Sequence, residues 1–183
     1  MSSTALQSSE AVVRFWQDAG FQMWFKRDEA FDLEFRDRFL AAHHAAARRD
    51  LDGWSDAAES ALALVLLLDQ FPRNAFRGSA HAFATDPLAR LVADGAIARR
   101  HDRVCAEVMR VFFYMPFEHS EAIEDQDRAL ALIKPLGGEL ERYAQVHRDV
   151  IVRFGRFPHR NPALGRLTTP AEQAFLDSGG FSA

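Results

Sequence analysis

Three short stretches concentrate the side chains that could do chemistry. DQFPRNAFRG (69–78) places an acid, two amides and two arginines directly behind the apolar run ALALVLLL (61–68). MPFEHSE (115–121) holds Glu118, His119, Ser120 and Glu121, and FGRFPHRN (154–161) holds Arg156, His159, Arg160 and Asn161. A guanidinium fork recognises carboxylate or phosphate in a bidentate way. An imidazole moves protons near neutral pH, and a carboxylate can orient it. Asp69, Arg73, Asn74, Arg77, His147, Arg156, Arg160 and Asn161 are therefore candidate ligand-binding residues. His119, His159 and Glu118 are candidate acid–base residues, with Glu118 or Asp69 orienting an imidazole.

The same residues have a second explanation that needs no ligand. Each stretch lies where a strongly apolar helix runs into a proline. The last four carbonyls of a helix lack intrahelical donors, and a buried helix end cannot borrow water. Arg, His and Asn side chains can supply those donors, and cations suit the negative end of the helix dipole. Asp69, an acid at that end, then needs a cation partner such as Arg73, Arg77, Arg156 or Arg160. A site and a knot of buried caps both fit the sequence.

Other constellations carry less. Ser120 beside His119 suggests a nucleophile and its base, but adjacent helical residues do not face each other, and Ser120 reads as a helix N-cap. Glu118, His119, Glu121 and His159 are acceptable metal-ligand types. With no HExxH or ExxH pattern, no metal and no cofactor are assigned. His43-His44, in an Ala-rich helical segment, reads as a solvated or half-buried pair. His147 shares a helical face with Leu140, Tyr143, Val150, Ile151 and Phe154, so it points inward as a core histidine or a pocket wall. The single cysteine, Cys105, sits in VCAEVM as a buried thiol and excludes an intrachain disulfide.

The elements that must position these residues are helical. Apolar spacing of one turn recurs while alternating patterns are scarce. Helices are predicted over about 9–19, closed by Gly20, and from an Asp28 cap through the stripe Phe31, Phe35, Phe39 and Ala42. A third runs from Ser55 to Phe71, apolar on all sides in its middle, with Pro72 ending or kinking it. A fourth spans about 79–100 with a break near Asp86-Pro87, and a fifth about 103–115. The sixth starts from Ser120 and closes at Pro135 and Gly137-Gly138, and the seventh covers about 139–154. The eighth opens at Thr169-Pro-Ala-Glu172, a capping box with proline at the first helical position. The prediction is one all-α domain of about eight helices over residues 1–183.

Bulk properties narrow the function classes. A chain of 183 residues with 48% hydrophobic content can bury a real core. The net charge of −4 and the lack of a basic stripe argue against nucleic acid. Arginine supplies 20 of the 22 basic residues, a bias of composition that weakens arginine abundance as a sign of phosphate binding. The first residues lack a basic segment followed by an apolar core, and the longest apolar stretch is about half a membrane span. A cytoplasmic protein with no membrane partner is expected.

LLLDQFPRNAFRG, FFYMPFEHSE and HRDVIVRFGRFPHRNPALGRLTTPAEQAFL, in that order, together with WFKRDEAFD and AFATDPLA, resemble a bacterial family of uncharacterised proteins called domain of unknown function 924. The resemblance implies a fold similar to tetratricopeptide-repeat arrays, with antiparallel helix pairs stacked into a right-handed superhelix. It implies no particular activity and carries over no catalytic residue. Its strongest motifs fall on the three helix-end clusters. The functional expectation is a small anionic metabolite held by arginines, histidines and acids, with acid–base chemistry of the hydrolase type. The alternative is a helical scaffold that binds protein or peptide partners on a concave face.

Overall fold

The computed structural model describes residues 6–180, and every regular element among them is helical. The chain forms two compact units: residues up to Arg77 together with His81–Phe113, and Gly78–Ala80 together with the chain from Tyr114 onward.

In the first unit α1 (Ser9–Trp24) is capped by the Ser8 hydroxyl, and Gly20 interrupts it at φ 73°, where the sequence places a break. Helix α2 (Glu29–Ala47) starts from Asp28, whose carboxylate accepts from the Phe31 N–H. Helix α3 (Ala58–Val65) continues through a π-turn (Leu66–Gln70) into α4 (Phe71–Ala75). Residues 61–68 are all buried to within 1% exposure, as a helix apolar on every side must be. Around them pack Trp16, Phe35, Phe39, Phe71 and Phe112. Phe35 meets Phe71 edge-on at 5.1 Å, and Trp16 meets Phe112 edge-on at 5.5 Å. Each such ring contributes about 1.5–3 kcal/mol by leaving water.

Two boundaries of this unit differ from expectation, and the break near Asp86-Pro87 falls where the sequence places it. Helix α3 starts at Ala58, not Ser55, because residues Asp52–Asp56 wind as a 3₁₀ turn whose Trp54 carbonyl accepts from the Ser60 hydroxyl. The fourth predicted helix is a short 3₁₀ turn (Ala80–Phe83) followed by α5 (Asp86–Ala98), with Pro87 in the first turn, where its missing N–H costs nothing. The fifth, expected as an α-helix over 103–115, is instead two 3₁₀ segments, His101–Arg103 and Glu107–Phe113. There the Asp102 carbonyl accepts from the Arg110 Nε–H, and Met109, Val111, Phe112 and Phe113 are all buried. Burying consecutive residues overrides the 3.6-residue period.

The second unit is built on α7 (Ile123–Ile133) and α8 (Gly138–Phe154), joined by a short turn and bridged by Arg148 and Asp127 at 2.6 Å. The short α6 (Met115–Glu118) precedes them and α9 (Pro170–Asp177) follows. Val150, Ile151 and Phe157 form the core, with Ile123, Phe154 and Phe175 against it. Helix α8 ends at Gly155, in the left-handed region at φ 68°. Helix α9 opens with the full capping box between Thr169 and Glu172. Ser120 is not an N-cap: α7 begins after Ala122, and the Ser120 hydroxyl accepts from the Ala122 N–H two residues on.

Candidate functional site

The polar cluster behind the apolar helix starts from a backbone problem. Pro72 has no N–H, so the Leu68 carbonyl loses its helical donor. The π-turn adds a second loss: the Phe71 N–H bonds the Leu66 carbonyl, which leaves the Leu67 carbonyl without it. Side chains from elsewhere in the unit fill both places. Thr85 Oγ1 donates to Leu68 O at 2.5 Å, and His43 Nδ1 lies 2.9 Å from Leu67 O. Arg73 donates to the Asp69 carbonyl at 2.8 Å. An unmet buried carbonyl costs about 1–3 kcal/mol.

The charges of this stretch are paired within the unit. Arg73 forks onto Asp86 at 2.8 and 2.9 Å and reaches Asp69 Oδ1 at 3.1 Å. Burial penalises its charge, but Asp69 and Asp86 outweigh that and raise its pKa. Gln70 donates to the other Asp69 oxygen at 2.7 Å. Asn74 and Arg77 share Asp32, at 2.8 Å from the amide and 2.6 Å from Nε. Asp32, Thr85 and Asp86 lie in the stretches WFKRDEAFD and AFATDPLA, outside the three helix-end clusters, and only the fold makes them partners of those clusters. Cys105, half-buried and not fully buried as expected, has its thiol pKa pushed up by that burial, which disfavours the reactive thiolate.

The second unit gathers the imidazoles. Glu118, at the end of α6, is 3% exposed, and His147, on α8, is 7% exposed. His147 Nδ1 lies 2.8 Å from Glu118 Oε1 and 2.8 Å from the Tyr143 carbonyl. A carbonyl can only accept, so Nδ1 carries the hydrogen and the lone pair of the neutral ring is on Nε2. Glu118 thus lies against the His147 imidazole. The His119 ring lies 6.1 Å from that of His147. Phe157 is the hub: His147 meets it edge-on at 5.7 Å, His159 lies 5.6 Å away, and the Arg160 guanidinium sits 4.4 Å over its face. Arg160 is buried and donates to the His119 carbonyl at 3.0 Å.

Arg156 lies beside this group, forked onto Glu172 at 2.6 and 2.9 Å. That bond, with the Thr169 N–H, lowers the Glu172 pKa to about 2. Asn161 donates toward Thr168 and Glu172, while its buried Oδ1 has no hydrogen-bond partner among the described residues. Burial opposes ionisation of Glu121, but Arg166 and the Phe157 N–H outweigh it and lower its pKa. The tertiary structure therefore collects the candidates in two sets. Asp69, Arg73, Asn74 and Arg77 fall in the first unit, and Glu118, His119, His147, Arg156, His159, Arg160 and Asn161 in the second.

Comparison with known proteins agrees with the motif resemblance. The family model described as bacterial protein of unknown function (DUF924) matches residues 12–180. No curated protein matches the chain. The solved structure of a protein of unknown function, ATU0120 from Agrobacterium tumefaciens, is similar at 58% identity and a TM-score of 0.91, covering 93% of this chain and 97% of that one. No described helix is long and apolar enough to cross a membrane. The matched span and the all-helical fold together make the chain a member of the DUF924 family of bacterial proteins.

Proposed function

We propose that the chain binds a small anionic molecule at the imidazole–carboxylate cluster of the second unit, and that acid–base chemistry of the hydrolase type runs through His147 there. The observation that supports this reading most is the buried Glu118–His147 pair at 2.8 Å. A carboxylate against an imidazole whose tautomer a backbone carbonyl fixes is the arrangement a general base needs. Arg160 places a permanent positive charge at the same cluster, suited to a carboxylate or phosphate. His119 and His159 are the further groups able to exchange protons with such a ligand.

The test is calorimetric melting of the whole chain with a panel of small carboxylates and phosphates. A ligand at a hundred times its Kd stabilises by about 2.7 kcal/mol. The expected result is a panel member that raises the melting temperature of wild type and loses its effect on Arg160→Ala. In Glu118→Gln the shift persists while turnover of that compound falls. No shift from any carboxylate or phosphate, or an equal shift in Arg160→Ala, refutes the reading.

A helical scaffold for protein partners has a separate observation in its favour. Phe21 and Phe25 are 41% and 47% exposed and stack edge-on at 5.2 Å on the first unit. That reading expects a peptide that binds wild type and is lost in Phe25→Asp.

A further inference from the structure

The ligand atoms of His43, His44 and His81 lie within 4.8 Å of one another. His43 and His44 follow each other on α2, and His81 comes from the 3₁₀ turn Ala80–Phe83. The sequence reading of a solvated or half-buried pair fails for His43, which is fully buried. Its ring is oriented by the fold. Leu67 O, 2.9 Å from Nδ1, can only accept, so Nδ1 carries the hydrogen and Nε2 the lone pair. That carbonyl is available because the π-turn has taken its backbone donor away. A metal-ligating histidine is held in this same way, with its second nitrogen on a backbone carbonyl.

The spacing of the His43–His81 pair fits as well, and His44 brings a third nitrogen within 4.8 Å. His43 Nε2 faces His81 Nε2 at 3.4 Å. Zinc–nitrogen bonds of about 2.0–2.1 Å at a tetrahedral angle put two ligating nitrogens about 3.3–3.4 Å apart. Two rings have aromatic floors: His81 stacks on Phe76 at 3.9 Å, and His43 on Phe71 at 4.9 Å. Three imidazoles leave a fourth tetrahedral position for water or a ligand. We propose that His43, His44 and His81 form a three-imidazole site for a zinc-class divalent cation in the first unit. The site is independent of the Glu118–His147 cluster, so either reading can fail alone.

The metal-stripped full chain is titrated with zinc chloride by calorimetry and, separately, with cobalt(II) followed by visible absorption. The expected result is one zinc per chain and the intense absorption of a four-coordinate cobalt centre. His44→Gln/His81→Asn, which spares the buried His43, should weaken zinc binding by about tenfold or more. His101→Gln, outside the cluster, should leave it unchanged. Absence of stoichiometric zinc, the weak spectrum of six-coordinate cobalt, or unchanged affinity in the double variant overturns the proposal. The wild-type cobalt spectrum decides the matter even if the double variant does not fold.

Discussion

Replacing Arg73 by methionine tests whether the cluster behind the apolar helix is a strut. The guanidinium holds two buried carboxylates: Asp69, whose side chain is 0% exposed, and Asp86, at 8%. Methionine fills a similar volume and removes the charge, so both acids face each other without their common partner. Breaking a buried ion pair from one side costs about 3–5 kcal/mol. In a chain of 183 residues each kcal/mol moves the melting temperature by about 2–4 °C, so a fall of about 6–20 °C is expected. Trp16, Trp24 and Trp54 all belong to the first unit, so tryptophan fluorescence reports its unfolding directly. Arg77→Met serves as the comparison. Its side chain is 32% exposed, so the loss of its bond to Asp32 should cost only about 1 kcal/mol. The double variant Arg73→Met/Asp86→Asn should recover part of the loss by removing one uncompensated charge. An Arg73→Met protein that melts like wild type, or that falls no further than Arg77→Met, would refute the strut.

Two further outcomes probe the second unit. Glu172 has a pKa of about 2 in the folded chain against an ordinary 4.5, so its contribution is present above pH 4.5 and is lost as pH falls through 2. Between those limits calorimetric stability should fall more steeply with acid in wild type than in Glu172→Gln; parallel curves would count against the Arg156 pairing. Gly155→Ala should cost about 1–2 kcal/mol, because a side chain in the left-handed region is strained although a Cβ there meets nothing within 4 Å. A melting temperature equal to wild type would show that the end of α8 can rearrange.

Local chemistry is what the sequence determined by itself. The Asp28 cap, the break at Gly20, the Thr169–Glu172 capping box and the stop at Gly155 all stand where their residue types place them. Each depends on a few neighbouring residues, so spacing along the chain suffices. The total burial of residues 61–68 was legible for the same reason: a helix apolar on all sides has no face to give to water.

Only the tertiary structure decided the rest. The π-turn before Pro72 persists because His43 and Thr85, distant in sequence, meet the carbonyls that the turn and the proline free. The segment 107–113 is 3₁₀ and buries Met109 and the run Val111–Phe113 while Val108 stays exposed, a pattern no periodicity announces. Glu118 meets His147, distant in sequence, because α6 and α8 bring the pair to 2.8 Å. Pairing between side chains far apart in the chain is a property of packing, and a linear pattern holds no record of it.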